Sequence, residues 1–358
     1  MRLSLASRPE PSRVMLAASP LLAASLTLAA GFLLFLALGQ RPGAALHTFF
    51  VAPVSSGNGL AELLLKAAPL ILIAQGLAIG FRANVWNIGA EGQLILGAIA
   101  ASSLAIGFQG TASPWLLPAM VAAGILGGMA WAAIPAYLRT RFHANEILVT
   151  LMLTYVAGLL LSYLVHGPMR DPQGLNFPQS VLFGDSALFP VILPGTRLNL
   201  AVGFPVLATA AAWIFVARTY AGYQMLVGGL APQAARYAGF SQGRAVWTAL
   251  LIGGGAAGLA GVGEVAGPLG QLLPVVSPGY GFAAIIVAFV GRLHPLGIVV
   301  AGLLMSLLYL GGEAAQIALQ VPYAVTSLFQ GFLLFCLLGS DLFVFYRVRW
   351  RPREGRPS

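Results

Sequence analysis

The sequence is divided into apolar runs of about 20 residues, and this spacing limits what the chain can fold into. Four long runs are Val14–Leu38, Leu116–Leu138, Ile147–Val165 and Ala201–Ala217. At about 1.5 Å of rise per helical residue, such a run crosses a hydrocarbon core about 30 Å thick. Charged residues make up 8% of the chain and hydrophobic residues 58%, which leaves too little charge to cover a soluble protein. The sequence therefore predicts an all-α polytopic membrane protein.

The apolar runs and the breaks between them predict roughly ten transmembrane helices. Their approximate boundaries are 14–38, 61–80, 88–107, 116–138, 146–166, 199–217, 245–266, 281–291, 294–313 and 322–345. The eighth lies between Pro278-Gly279 and His294-Pro295 and is too short to cross as an ordinary helix. We expect it to be a short or broken helix, which is tolerated only where its backbone is buried in protein or lines a cavity.

The distribution of positive charge predicts the orientation of the chain. With a cytoplasmic N-terminus, 15 of the 19 Lys and Arg residues lie on the cytoplasmic side, and an even number of spans keeps the five C-terminal arginines there. This gives cytoplasmic tails at 1–13 and 346–358, the second of them basic, around a single transmembrane domain at 14–345. The two long connections are an outer loop at about 167–198 and a cytoplasmic loop at about 218–244.

The sequence lacks the motifs of catalysis and of nucleotide binding. Lys66 is the only lysine and follows leucines rather than glycines, so the chain has no P-loop for ATP. The four histidines lack metal-ligand spacing, and the single cysteine, Cys336, excludes an intrachain disulfide. The positive charges are dispersed between apolar runs, which argues against nucleic acid as a partner. We therefore expect no catalytic residues, no metal and no cofactor bound by this chain.

One glycine-rich stretch matches a known motif without its structural context. Gly253, Gly255 and Gly258 fit the dinucleotide-binding pattern, but they lie inside an apolar span rather than after a strand. Small residues spaced four apart are typical of faces on which transmembrane helices pack closely. Gly254 and Gly258, and likewise Gly263 and Gly267, are therefore predicted to form helix-packing faces.

A polar cluster precedes and opens the third predicted span. Asn87 is expected to cap this helix and to place Glu91 in its first turn, where the helix dipole favours a carboxylate. Asn84 shares a helical face with these two residues if the helix extends that far, and Gln93 follows. Two interpretations stay open, an interfacial helix cap and a polar element beside a substrate path. Asn84, Asn87, Glu91 and Gln93 are therefore candidates for the translocation path.

A second polar cluster opens the fifth predicted span. Asn145 is expected to cap the helix, and Glu146, Thr150 and Thr154 recur every four residues as a polar stripe. Either the two threonines hydrogen-bond to the backbone of their own helix, or the stripe faces a pathway. Glu146, Thr150 and Thr154 are therefore also path candidates.

Four other charged residues lie toward the predicted outer ends of spans, namely Glu62, Lys66, Glu264 and Glu313. Glu62 and Lys66 are four residues apart, so we expect them to pair with each other. Glu264 is followed by Gly267 and Pro268, and we expect it at a gate, a lip or an outer vestibule.

Four sequence blocks resemble one family of membrane transporters. In one-letter code they read NIGAEGQ (87–93), NEILVTLMLTY (145–155), AARYAGF (234–240) and YGF…GRLHPLG (280–297). These blocks, in this order, are similar to permease subunits of bacterial ABC importers in the ribose/branched-chain amino acid permease superfamily. The branch for nucleosides or simple sugars is the most similar.

This resemblance implies an ATP-driven, binding-protein-dependent importer for nucleosides in the bacterial cytoplasmic (inner) membrane. Two permease chains, usually non-identical, would enclose the path, and an extracytoplasmic binding protein would deliver the substrate. A separate ABC ATPase, which carries ATP and Mg, would dock on the cytoplasmic loop, where the sequence predicts a short helix with proline in its first turn. The resemblance assigns coupling to Pro232, Ala234, Ala235, Arg236, Tyr237, Gly239 and Phe240.

Two alternatives stay open at this stage. A simple-sugar importer of the same architecture would carry a ribose-like polyol instead of a nucleoside. An ion-coupled secondary transporter would run without ATP and is expected to have an acid or cation site near mid-membrane. The acidic residues here cluster toward the ends of spans, which argues against the secondary transporter.

Overall fold

The computed structural model describes residues 2–8, 12–322 and 324–351. Within these residues it contains 13 α-helices and two β-strands. The helices are Arg13–Ala37 (α1), Pro42–Phe50 (α2), Gly57–Arg82 (α3), Ala90–Gly107 (α4), Leu116–Phe142 (α5), Glu146–His166 (α6), Gly203–Arg218 (α7), Tyr220–Leu230 (α8), Pro232–Tyr237 (α9), Gln242–Glu264 (α10), Tyr280–Val290 (α11), Pro295–Leu319 (α12) and Ala324–Phe345 (α13). The strands are Arg2–Ser7 (β1) and Tyr346–Arg351 (β2), and the chain forms two compact units.

The prediction of a polytopic α-helical membrane protein is confirmed. Of the described helices, seven are long and apolar enough to cross a membrane, namely α3 to α7, α10 and α12. The other three predicted spans coincide with α1, α11 and α13. Helix α11 has 11 residues and is about 16 Å long, so it is as short as the sequence predicts.

Glycines hold together the unit formed by residues 57–306. A Cβ atom on Gly258 of α10 would lie 2.2 Å from the carbonyl oxygen of Gly124 on α5, and one on Gly97 of α4 would lie 2.4 Å from the Cα of Gly258. A Cβ on Gly254 would lie 2.6 Å from the carbonyl oxygen of Gly128. The predicted packing face at Gly254 and Gly258 is therefore confirmed, since the backbones meet without intervening side chains.

Local sequence signals set several helix ends in the same unit. The Asn145 side chain accepts hydrogen bonds from the N–H groups of Ile147 and Leu148 at 2.9 and 3.4 Å, which confirms the predicted cap of α6. Helix α10 continues directly into a π-helical turn, Val265–Leu269, that contains Pro268. Such turns often mark functional sites in helices.

The long connection at 167–198 packs against the chain that follows α10. Ser180 donates its backbone N–H to the carbonyl of Leu272 at 2.9 Å and accepts the N–H of Leu272 at 2.9 Å through its hydroxyl. Near the end of the connection, Arg197 makes a bidentate ion pair with Glu62 at 2.9 and 2.7 Å. The Glu62 carboxylate therefore has a partner 135 residues away, and its expected pairing with Lys66 stays a prediction.

The second unit comprises residues 1–56 and 307–358. Its core contains the buried rings of Phe35, Phe49 and Phe329, with centroids 4.5 to 6.3 Å apart. The strands β1 and β2 pair antiparallel, with Arg2 opposite Arg351. Both strands lie in segments predicted to be tails, and neither the strands nor helix α2 is predicted from the sequence.

Replacing Gly258 by alanine is expected to destabilise the protein, because the new methyl group would overlap the carbonyl oxygen of Gly124. Overpacking of this kind costs about 1–3 kcal/mol. The midpoint of thermal unfolding in detergent should therefore fall. Gly158→Ala is the matched control, since a Cβ at this helical glycine meets no atom within 4 Å. Equal midpoints for the two variants would contradict the packing.

Candidate functional site

The connection between α3 and α4 is not helical. Asn84 is exposed and has a left-handed φ of 55°, and α4 begins only at Ala90. The prediction that Asn87 caps the helix is wrong, because its side-chain oxygen accepts the N–H of Gly89 at 3.0 Å, before the helix begins. Asn84, Asn87 and Glu91 therefore do not share a helical face.

Asn87 and Gln93 form a reciprocal amide pair. The side-chain nitrogen of Asn87 donates to the side-chain oxygen of Gln93 at 2.8 Å, and the Gln93 nitrogen donates back at 3.2 Å. Both side chains are almost fully buried, at 4% and 1% exposure. Since each amide satisfies the other away from water, the pair fixes the extended connection against the first turns of α4.

The Glu91 carboxylate is bonded to the N-terminus of the short helix α11. Its Oε2 accepts the N–H of Gly281 at 2.7 Å. The Ser277 hydroxyl accepts the N–H groups of Gly279 and Tyr280 at 3.1 and 2.8 Å. Together the two side chains pair three backbone donors that a helix N-terminus leaves without intrahelical partners.

Glu91 therefore lies at two helix N-termini, in the first turn of α4 and at the start of α11. Both helix dipoles favour a negative charge at this position. The approach requires glycine at 281, because a Cβ there would lie 2.2 Å from the backbone nitrogen of Glu91. The carboxylate, which is 7% exposed, is thus built into the contact between two helices.

The second polar cluster packs on the same connection. Glu146 forms an ion pair with Arg139, and its Oε1 also accepts the N–H of Trp86 at 3.4 Å. The Thr150 hydroxyl accepts the N–H of Ile88 at 3.2 Å. The structure therefore joins two clusters that the sequence analysis treats separately.

The polar stripe of α6 is buried against the start of α4. Thr150 and Thr154 are 1% and 7% exposed, and their hydroxyls also donate to the carbonyl oxygens four residues earlier, at 2.7 and 3.1 Å. A Cβ on Gly89 would lie 2.6 Å from the carbonyl oxygen of Thr150, and one on Gly92 would lie 2.8 Å from the Cα of Thr154. Both threonines thus bond their own helix backbone, and Thr150 also bonds the connection.

Gln75 is a buried polar residue that the sequence analysis missed. Its side-chain nitrogen donates to the Thr209 hydroxyl at 2.9 Å and to the carbonyl of Pro295 at 2.8 Å, which links α3 to α7 and to the start of α12. Its Oε1 is buried and has no hydrogen-bond partner among the described residues. A signal was present, since Gln75 is the only polar residue between Ala67 and Gly80.

The segment between α11 and α12 is fixed by Arg82 at the end of α3. The guanidinium of Arg82 donates to the carbonyl oxygen of Leu293 at 3.2 and 2.7 Å. Arg292 and Leu293 both have φ values of 55°, which is rare for two consecutive residues with side chains. The charged group therefore stabilises a strained turn within the fourth sequence block.

The predicted coupling residues lie on and after the short helix α9. The helix begins with Pro232 at its first position, as predicted, and buries only Ala235. Ala234 and Arg236 are exposed, and Tyr237 is 98% exposed. The helix therefore presents almost all of its side chains to a surface.

Gly239 and Phe240 end this helix in a Schellman motif. The Phe240 N–H bonds the carbonyl of Ala235 at 2.9 Å, and the Gly239 N–H bonds that of Arg236 at 3.1 Å. Gly239 has a left-handed φ of 78°, which glycine adopts without strain. The Phe240 ring lies edge-on to Tyr220 and Tyr223 of α8, so the end of α9 is anchored to α8.

The comparisons with known proteins identify the family. The family described as "Branched-chain amino acid transport system / permease component" matches residues 59–338. The chain is 37% identical to the glucose ABC transporter permease protein of Haloferax volcanii, over 92% of this chain and 89% of that protein. The chain therefore belongs to this permease family. It is an ABC transporter permease and a multi-pass protein of the inner membrane.

Two further relatives carry related names. The guanosine ABC transporter permease protein of Bacillus subtilis is 31% identical, over 86% of this chain and 89% of that protein. A second, putative glucose ABC transporter permease protein of Haloferax volcanii is 29% identical, over 71% of this chain and 77% of its own length. No solved structure matches the chain. The family resemblance of the four sequence blocks is confirmed.

Glu91→Ala is expected to be more harmful than Glu62→Ala. The first change leaves the buried N–H of Gly281 without its acceptor, at a cost of about 1–3 kcal/mol. The second removes an ion pair with Arg197, whose side chain is 61% exposed, and such pairs contribute about 0–1 kcal/mol. Thermal unfolding in detergent and transport by the assembled importer should both fall further for Glu91→Ala. Equal losses would contradict a special role for Glu91.

Proposed function

We propose that this permease forms the membrane path for import of a neutral, ring-bearing polyol, either a nucleoside or a hexose. The similarity to permeases named for glucose and for guanosine carries this proposal. Neutral substrates need no counter-charge along the path, which agrees with the low content of charged residues, 8% of the chain. The nucleoside is the interpretation reached from the sequence blocks, and the 37% identity to the glucose permease supports the hexose.

The proposed orientation places both termini and the loop at about 218–244 in the cytoplasm, with ten crossings of the membrane. The charge asymmetry of the sequence supports this orientation. A separate ABC ATPase is proposed to dock on α9, supplying ATP and Mg, so that this chain binds no cofactor. The exposure of Arg236 and Tyr237, together with the anchoring of Phe240 on α8, supports α9 as the docking element.

The other proposed partners are a second permease subunit and an extracytoplasmic substrate-binding protein. Two different glucose permease proteins of Haloferax volcanii resemble this chain, which supports a pair of non-identical permeases. The loop at about 167–198 is the proposed contact for the binding protein on the outer side.

The two polar clusters that meet at the connection between α3 and α4 are proposed to shape the path by fixing the start of α4. Thr150 and Thr154 are buried against Gly89 and Gly92, and the Thr150 hydroxyl bonds the connection, so the stripe positions the connection rather than lining an open channel. Glu91 then sets the position of α11 relative to α4. The remaining path candidates are proposed to hold the same connection. Asn87 and Gln93 do so through their amide pair, Glu146 through the backbone N–H of Trp86, and Asn84 through the indole N–H of Trp86.

Deleting this chain is expected to abolish ATP-dependent uptake of labelled guanosine or glucose in cells that carry the complete importer. Depleting ATP at constant proton gradient should stop uptake, whereas collapsing the gradient at constant ATP should not. Guanosine uptake would identify a nucleoside importer, and glucose uptake alone would identify a hexose importer. Uptake that follows the proton gradient and ignores ATP would contradict the proposal.

Gly239→Ala is expected to reduce coupling between ATP hydrolysis and transport. Alanine at a φ of 78° costs about 1–3 kcal/mol and disrupts the end of α9. Gly228→Ala on α8 is the matched control, because a Cβ there meets no atom within 4 Å. In the reconstituted importer, substrate moved per ATP hydrolysed should fall for Gly239→Ala only. An unchanged ratio in both variants would remove α9 from the coupling mechanism.

A further inference from the structure

Glu264 is a second buried acid, and the polar cluster around α4 does not account for it. It is the last residue of α10, directly before the π-helical turn, and it is 9% exposed. Among the described residues, no hydrogen-bond donor and no ion-pair partner contacts its carboxylate. Glu91, by contrast, is hydrogen-bonded to the backbone of α11.

The Glu264 side chain lines a small cavity between α10, α3 and the start of α7. The cavity has a volume of about 20 Å³ and an otherwise apolar lining that includes Leu72, Phe204 and Leu259. Leu65 and Pro69 of α3 also line it. Since proline has no N–H, the carbonyl of Leu65 lacks the donor that an α-helix normally provides four residues later. The Glu264 carboxyl and the Leu65 carbonyl, both of which can accept a further hydrogen bond, therefore belong to residues that line one cavity.

An acceptor buried in this way is costly unless something donates to it. The carboxyl oxygens of Glu264 and the carbonyl oxygen of Leu65 both offer lone pairs that accept hydrogen bonds. A metal cation is a poor match, because hard cations take about six or more oxygen ligands and the lining is otherwise apolar. The chemistry that fits the cavity is a neutral hydroxyl donor.

We propose that Glu264, together with the carbonyl of Leu65, forms a subsite that binds the primary hydroxyl of the transported substrate. This inference rests on the proposed function, since glucose and nucleosides both carry a hydroxymethyl group on a ring. A cavity of about 20 Å³ holds one water-sized group, so it admits a hydroxyl on a projecting methylene but not a ring. The ring would remain outside, toward the path.

The subsite is tested by removing the hydroxyl and its acceptor separately. Initial uptake rates give KM for guanosine and 5′-deoxyguanosine, and for glucose and 6-deoxyglucose, in cells that carry the complete importer. With the wild-type chain, the deoxy analogue of the transported substrate should have a KM about tenfold higher. Glu264→Leu should raise KM for the parent substrate by about the same factor and leave KM for the deoxy analogue unchanged.

Two further variants keep the test decisive. Glu264→Gln preserves the shape of the side chain and one acceptor, so it should assemble normally and raise KM for the parent substrate by a smaller factor. Glu62→Gln is the matched control on α3, because its carboxylate pairs with Arg197 rather than lining the cavity, and its KM should equal that of the wild type.

The outcomes separate the subsite from the proposed function. If the wild-type importer takes up neither guanosine nor glucose, the proposed function is wrong and the subsite fails with it. If it takes up a parent substrate and its deoxy analogue equally well, the subsite alone is wrong. Equal increases in KM for parent and analogue in Glu264→Gln would also overturn the subsite, because they would indicate a structural role.

Discussion

The hydrocarbon core offers no hydrogen-bond partners to backbone N–H and C=O groups, and this constraint governs where the helices of this permease can begin and end. Helix α11 has 11 residues, about 16 Å, against a hydrocarbon core about 30 Å thick, so its ends fall short of a full crossing. The donors at its N-terminus are paired by Ser277 and by Glu91. Because Glu91 belongs to α4, one hydrogen bond joins the N-terminus of the short helix α11 to the first turn of α4.

Close backbone contact makes that hydrogen bond geometrically feasible. Gly281 brings the first turn of α11 onto Glu91, while Gly97 and Gly258 bring α4 onto α10. Lipid supplies no hydrophobic driving force between helices, so the bundle is stabilised by van der Waals packing instead. Small residues allow the helix backbones to approach closely enough for this packing. The glycines and the buried polar groups therefore depend on each other. A side chain at any of these three glycines would push the helices apart and leave the buried polar groups without hydrogen-bond partners.

Features set by local sequence were predictable, and features set by distant partners were not. The cap at Asn145 and the proline-started helix α9 follow from rules that span a few residues, and both are confirmed. The same capping rule failed at Asn87, because α4 begins only at Ala90 and the Asn87 side chain bonds Gly89 and Gln93 instead. No local rule could show that Glu91 contacts Gly281, which is 190 residues away.

The two buried acids of α4 and α10 differ in what remains for a substrate to bind. Glu91 has a backbone partner, so a substrate hydroxyl would gain little by displacing an N–H that then stays buried and unpaired. Glu264 has no such partner among the described residues and lines a cavity. A neutral polyol is selected by hydrogen bonds rather than by charge, so selectivity depends on acceptors that the fold leaves unused. By this argument Glu91 maintains the geometry of the path, and Glu264 is the acid free to recognise what passes through it.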